Sequence, residues 1–526
     1  MTLSTRRQFL KQLGLGVGGL MLVSPVLRRA WAGEAARLPR STPEAEGMSS
    51  AGILAFLDAI AHSHYELHSL MVVRHGRVVA EGWWAPYGPD LRHTLYSLSK
   101  SFTSTAVGLA AAEGKLHLDD KVVSFFPKDL PDPVSDHLAA LRIKDLLSMA
   151  AGDQTEPTFK MVEEENWIRY FLAAPITHDP GTVFMYNSAA TYMCSAIVQQ
   201  VTGQKVIDYL TPRIFEPLGI EGATWETCPR GINTGGWGLS VRTEDIAKVG
   251  QLYLQKGTWN RREILPAKWV EEATSFKIQQ PDPAKPTRSK ETNDWLQGYC
   301  YQFWRCQHNA FRGDGAFGQF MVVMPDQDAV VAITGESGNL QGELDLVWEH
   351  LLSAIKDAPL PADPEVQSRL KQTLAGLSFQ ALQGQPTSPT AERISGKTFR
   401  LETNVSGWQN VTPTFEKDAC TFTVRDASGS YPIISGLGKW IRCETAIPGG
   451  LPRLVSGGAP SAGTVHKVAA TGVWKDPSTF EMRWQYIETP HHDILTCAFE
   501  GDAVKIDVVR STGPNSKRTL TGTVTA

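Results

Sequence analysis

Apolar and polar residues alternate through residues 68–84, and the alternation turns back at His75-Gly76, which predicts a β-hairpin. The period then lengthens. In residues 97–113, Phe102, Ala106, Leu109 and Ala110 fall on one helical face, and Gly114 ends the run. A short helix is expected over 143–149, two more over 192–201 and 206–214 divided by Thr202-Gly203, and an amphipathic helix over 243–255. Residues 320–334 return to β-rich runs around Pro325-Asp326, predicting a pair of strands, and 344–355 closes with a helix. Strands, then many helices, then strands and a helix give an α+β class: an antiparallel sheet flanked by helices.

The pattern changes after Lys356. Residues 357–393 read as a linker, rich in proline and alanine at first, with a short helix over 365–377 and a polar stretch over 384–390. From 394 to 526 the chain is all β. Phe480, Met482, Trp484 and Tyr486 alternate with Glu481, Arg483 and Gln485, and Val504, Ile506 and Val508 alternate beyond a Gly501-Asp502 turn. This predicts an antiparallel barrel or sandwich. A chain of 526 residues exceeds one ordinary core, in keeping with domains over 33–356 and 394–526. Residues 1–32 stand apart. Arg6-Arg7, an apolar run and Ala30-Trp31-Ala32 read as a twin-arginine leader cleaved after Ala32. Export to the periplasm or beyond is expected, with no stable membrane span after cleavage.

Charge and composition narrow the chemistry. A net charge of −4 offers no basic surface for a phosphate backbone, which argues against nucleic acid as a partner. The seven cysteines are odd in number and lack metal-site spacing, so at least one is unpaired; structural free thiols are expected, with one disulfide in the C-terminal part as the alternative. His62-x-His64 reads as part of a surface helix and His491-His492 as part of a turn; neither brings a third ligand. Glu163-Glu164-Glu165 reads as a solvated charge run. Trp83, Trp84, Trp167, Trp237 and Trp304 are candidates for core or for an acyl pocket. No G-x-S-x-G elbow and no convincing phosphate loop is present. No metal or organic cofactor is expected.

One short run carries reactive chemistry: Tyr96-Ser97-Leu98-Ser99-Lys100. Residues three apart share a helical face, so Ser97 and Lys100 are neighbours. A serine hydroxyl needs a base beside it, and a buried lysine can become one when desolvation lowers its pKa. On spacing alone, Ser97 could equally cap the helix.

Further phrases follow in order: Asp145-Leu146-Leu147-Ser148-Met149-Ala150-Ala151-Gly152, Phe184-Met185-Tyr186-Asn187-Ser188, Gly236-Trp237-Gly238-Leu239-Ser240, Trp269 after Ile264-Leu265-Pro266, and Gly313-Asp314-Gly315-Ala316-Phe317-Gly318-Gln319. With them, residues 43–354 resemble the superfamily of serine β-lactamases, D,D-peptidases and family VIII esterases. The resemblance lies nearest the branch of 6-aminohexanoate-dimer hydrolases and carboxylesterases. It implies Ser97 as nucleophile, Lys100 as its partner and Tyr186 as a proton carrier, its phenol acidified by Lys100. Ser188 stands where many relatives carry asparagine, and it can bind substrate or Lys100. Gly313-Asp314-Gly315 stands where penicillin-binding relatives carry K-T-G, with the amides of Ala316 and Ser97 forming an oxyanion hole. Asp314 would repel a β-lactam carboxylate unless Arg312 compensates. The resemblance therefore implies an exported serine hydrolase acting on a small ester or amide. A peptidoglycan D,D-peptidase or a β-lactamase is the alternative, and a non-catalytic sensor or binding protein is the rival of another class. The sequence does not set the oligomeric state.

Overall fold

The computed structural model describes residues 37–284, 288–447, 455, 464–512 and 516–525. The expected leader lies outside them. The hairpin read from residues 68–84 forms β1 (Glu66–Arg74) and β2 (Arg77–Trp83), joined through left-handed His75 and Gly76. They enter a six-stranded antiparallel sheet with β3 (Trp304–Arg305), β4 (Phe311–Gly315), β5 (Gln319–Met324) and β6 (Ala329–Glu336), in the order β2-β1-β6-β5-β4-β3.

Period-two side-chain direction splits β1 between two cores. Met71 and Val73 face one, Leu70 and Val72 the other. The second core is closed by α1 (Ser50–Ala61) and by the C-terminal helical stretch Leu340–Leu346 and Val347–Leu352. The expected linker helix, observed over Pro364–Ala375 with Asp363 capping Val366 N at 3.1 Å, lays Leu370 and Leu374 against this same core. On the other face lie the remaining helices. Among them are α2 (Ser99–Ala112), α3 (Ser188–Thr202) and α4 (Thr243–Leu254).

Helix α2 departs from the amphipathic reading. It is buried around its whole circumference from Ser99 to Ala110. The hydroxyls away from the apolar face are satisfied inside the protein: Ser101 donates to Gln302 O at 2.9 Å, Thr103 to Gly235 O at 2.9 Å, and Ser104 to Tyr301 O at 2.7 Å. Buried hydroxyls are tolerated only when paired, so these bonds pin two separate loops, one around Gly235 and one at Tyr301-Gln302, against one helix. The 97–113 segment is also not one helix: Tyr96–Leu98 is a tight 3₁₀ turn ahead of α2, with Tyr96 at φ +48°.

The C-terminal region is a barrel, not a sandwich. Its strands are β7 (Phe399–Leu401), β8 (Asn410–Phe415), β9 (Ala419–Arg425), β10 (Ser430–Leu437), β11 (Ile441–Thr445), β12 (His466–Trp474), β13 (Thr479–Tyr486), β14 (His492–Glu500), β15 (Ala503–Arg510) and β16 (Arg518–Val524). The ring closes where β10 pairs in parallel with β12, while β11 extends along the same edge of β12. Phe480, Met482 and Trp484 fill the interior with Phe422, Leu495 and Ile506. The outward row of β13 meets the N-terminal part instead of water: Arg483 reaches Glu66 at 2.7 Å, and Gln485 donates to the Tyr87 hydroxyl at 2.7 Å. By its contacts, Leu38–Ala526 is one compact unit. All seven cysteines are unpaired, and six are buried. Among the described residues no helix is long and apolar enough to cross a membrane.

Candidate active site

The 3₁₀ turn and α2 present Ser97 and Lys100 one helical turn apart. Lys100 Nζ lies 3.0 Å from Ser97 Oγ, 2.9 Å from Ser188 Oγ and 2.7 Å from the carbonyl of Gly236. Ser97 is partly open to solvent, while Lys100 is 1% exposed. Burial without an ion-paired carboxylate disfavours the ammonium. Desolvation lowers the Lys100 pKa to about 7, although Glu156 and Asp314 pull it back upward. Lys100 is therefore about half neutral near neutral pH, which a general base requires.

Tyr186 enters from the loop ahead of α3. Its ring lies under Lys100, with Nζ 4.9 Å from the centroid, and stacks on Trp304 at 5.7 Å. The expected acidification of this phenol does not occur. Burial raises its pKa above the ordinary tyrosine value, Asp314 raises it further, and a hydrogen bond with Ser97 only partly opposes them. Tyr186 keeps its proton. The next residue, Asn187, caps α3 through Ala190 N at 3.0 Å and ties back to Asp153 at 2.6 Å, which fixes the entry angle of Ser188. Ser188 is thus a partner of Lys100.

The third segment forms the end of β4 and the turn to β5. Gly313 and Gly315 allow this strand to press on the nucleophile turn: a Cβ at Gly315 would sit 2.0 Å from Leu95 O, and one at Gly313 would sit 2.5 Å from Leu98 and Ser101. The backbone of Ala316 is oriented on both sides. Gly315 O accepts from Gly318 N at 3.2 Å, and Ala316 O accepts from Gln319 Nε2 at 3.1 Å. In a trans peptide the N–H opposes the C=O, so the Ala316 N–H points away from that turn. Tyr96 O likewise accepts from Ser99 N, which turns the Ser97 N–H the other way. Asp314 is compensated by Arg312: Nε donates to its carboxylate at 2.8 Å, while Nη1 bonds Asp294 O and Cys306 Sγ. The guanidinium also lies over Trp295 at 4.2 Å. Asp314 is therefore not a bare anion: its charge is balanced by Arg312.

Several participants were not visible in the sequence. Glu156 was one acidic residue among many in a loop, yet its carboxylate accepts from Ser188 N at 3.1 Å and acts on Lys100. Gly236 opens the Gly236-Trp237-Gly238-Leu239-Ser240 run, but nothing in that run marks a carbonyl bound to lysine. Trp304, Tyr299 and Phe184 join Tyr186 in an aromatic wall, whereas Trp167 and Trp237 stack in the core. Glu163, Glu164 and Glu165 are exposed. His491, read from the sequence as part of a turn, is fully buried, with Nε2 2.5 Å from the Tyr96 hydroxyl. Among the described residues Glu66, Glu336 and His492 could surround a cation, and Arg483 already supplies one, 2.7 Å from Glu66 and 3.4 Å from His492.

Residues 63–352, more than half of the chain, match the family model described as Beta-lactamase. The chain belongs to the beta-lactamase family. That family is one of serine hydrolases, and this protein is one of its members. The chain is 26% identical over 282 residues to a 6-aminohexanoate-dimer hydrolase of Paenarthrobacter ureafaciens, covering 50% of this chain and 71% of that one. It is 28% identical over 166 residues to a D-aminopeptidase of Brucella anthropi, a match to 29% of this chain and 31% of the relative. A solved family VIII carboxylesterase superposes with a TM-score of 0.47 at 16% identity, over 60% of this chain and 99% of that structure.

Proposed function

We propose that this beta-lactamase-family hydrolase cleaves a carboxylic ester or amide through an acyl-enzyme on Ser97. The observation that carries the reading is the 3.0 Å contact between Ser97 Oγ and a buried lysine whose pKa is lowered to about 7. Neutral Lys100 takes the Ser97 proton as Oγ attacks the carbonyl carbon. The new oxyanion rests on the amides of Ser97 and Ala316. Tyr186, still protonated, gives its proton to the departing oxygen or nitrogen and regains one from Lys100. Water then adds to the acyl-enzyme with the same groups reversed, releasing the acid and restoring Ser97.

The substrate preference follows from the walls. The third motif carries Gly313-Asp314-Gly315 in place of the lysine and threonine with which penicillin-binding relatives hold a carboxylate, and Arg312 beside it is turned to Asp314, Asp294 and Cys306. The aromatic wall of Phe184, Tyr186, Tyr299 and Trp304 suits an uncharged acyl or leaving group. The similarity to the dimer hydrolase of Paenarthrobacter ureafaciens supports amides as well as esters. The twin-arginine pattern near the N-terminus supports a reaction outside the cytoplasm. A panel of p-nitrophenyl acyl esters, linear aminohexanoate amides, nitrocefin and a D-Ala-D-Ala peptide tests the assignment. Ser97-dependent turnover of esters or amides is expected; turnover confined to nitrocefin or to the D-Ala-D-Ala peptide would replace it with a β-lactamase or a D,D-peptidase.

The acid and the base give separate signatures. The value of kcat/KM is expected to rise with pH through an apparent pKa near 7 as Lys100 loses its proton. Glu156→Gln is expected to shift this limb to lower pH, because the anion that favours the ammonium is gone. A profile flat from about pH 5 to 9 would remove Lys100 as the base. Tyr186→Phe is expected to depend on the leaving group. Amide hydrolysis should fall roughly 10²- to 10⁴-fold, whereas p-nitrophenyl esters, whose phenolate leaves unprotonated, should fall no more than about tenfold. Equal losses on both substrates would contradict the acid role.

A further inference from the structure

The barrel touches the turn that bears the nucleophile. Thr94 N donates to Glu488 O at 3.0 Å, aligning residues 486–492 beside the strand that leads into Ser97. From this stretch the buried side chain of His491 projects inward. Its Nε2 lies 2.5 Å from the Tyr96 hydroxyl, and its Nδ1 lies 2.7 Å from Glu336 at the end of β6. Its ring stands edge-on to Phe317, with centroids 4.7 Å apart, and Phe317 in turn lies 5.4 Å from the Tyr96 ring.

Tyr96 and Phe317 share one unusual property. Both are bulky residues in left-handed backbone, at φ +48° and +69°. Such conformations persist only where surrounding structure holds them. Tyr96 immediately precedes Ser97, and Phe317 immediately follows Ala316. Tyr96 therefore sets the peptide plane that carries the Ser97 N–H, and Phe317 fixes the peptide plane that follows Ala316, adjoining the one that carries the Ala316 N–H. The remaining bonds around them lock the same geometry: Ser337 N donates to Phe317 O at 3.0 Å, and Gln319 links Ala316 O to Gly335 O. Glu336 is a firm anchor. Burial alone would raise its carboxyl, but hydrogen bonds from His491 and His492 hold it far below the usual carboxylate range.

We infer that His491, contributed by the C-terminal barrel, is a positioning residue for acyl transfer: packed against both Tyr96 and Phe317, it holds the Ser97 and Ala316 amides at the spacing an oxyanion needs. The inference rests on the acyl-enzyme reading. It makes the barrel part of the reaction apparatus. A misplaced oxyanion hole weakens binding of the tetrahedral state more than binding of the substrate, so the loss belongs in kcat.

The test uses the full chain, with active sites titrated by a fluorophosphonate so that rates are per competent site. For His491→Leu, kcat on p-nitrophenyl butyrate is expected to fall roughly 10- to 100-fold with KM within about threefold, and phenylboronic acid, which forms a tetrahedral adduct on serine, should weaken by a similar factor. His491→Gln, which keeps a hydrogen-bonding end toward Tyr96, should recover part of the loss. Tyr96→Phe removes only the phenol and decides the matter if His491→Leu does not fold; its kcat should fall with boronate affinity. Wild-type kcat per titrated site in the folded variants, or a kcat loss with boronate affinity unchanged, would overturn the inference. A wild-type protein with no Ser97-dependent labelling or turnover would overturn the acyl-enzyme reading and this inference with it. Ser97-dependent turnover untouched by either substitution would overturn the inference alone.

Discussion

Replacing Ser97 by alanine is expected to lower kcat on the best ester substrate by roughly 10⁴- to 10⁶-fold while leaving the protein folded. The size follows from the mechanism. Without Oγ no acyl-enzyme forms, and the remaining rate reflects only what the oxyanion amides and binding do for direct attack by water. Stability should change little, because Ser97 is partly exposed and its deletion opens no apolar cavity. Lys100 keeps its bonds to Ser188 and to Gly236 O in such a variant. Steady-state kinetics beside a thermal melt measure both quantities. A variant that retains more than about a hundredth of the wild-type kcat would contradict a serine nucleophile.

The second large effect is expected at Lys100. Lys100→Met keeps the length of the side chain and removes the base, and kcat should fall roughly 10³- to 10⁴-fold. The limb near pH 7 should vanish with it. Stability reports the same group. The folded pKa of about 7 lies well below the ordinary lysine value of 10.5, so the unfolded chain holds the proton over the interval between them. Wild-type stability therefore rises with pH across that window, and the methionine variant lacks the gain. The melting temperature of Lys100→Met relative to wild type should fall as pH goes from about 7 to 9. A difference independent of pH would mean that Lys100 is not desolvated as the geometry requires.

The parts of this site legible in sequence were those set by local periodicity. Ser97 and Lys100 are three residues apart, and helical geometry alone makes them neighbours. The alternation through residues 68–84 and 480–486 gave the strands for the same reason. Elements whose surroundings are not local were harder to read. Helix α2 showed only its apolar face in sequence, while the acceptors that bury its hydroxyls, Gln302, Gly235 and Tyr301, lie on loops far along the chain. The Tyr186 pKa was misjudged because proximity to a lysine was weighed without the burial and the Asp314 charge that oppose it. Glu156 had no motif to announce it. His491, 395 residues from Tyr96, could be placed only by the docking of the barrel.

The central claim is that an acyl group is carried on the hydroxyl of Ser97, activated by Lys100. Peptide mapping by mass spectrometry, after a brief incubation with a fluorophosphonate, tests it most directly. The account predicts one adduct per chain, on the peptide containing Ser97, formed in step with loss of esterase activity and much more slowly in Lys100→Met. A stoichiometric adduct on another residue, or full activity remaining in protein fully labelled at Ser97, would contradict it.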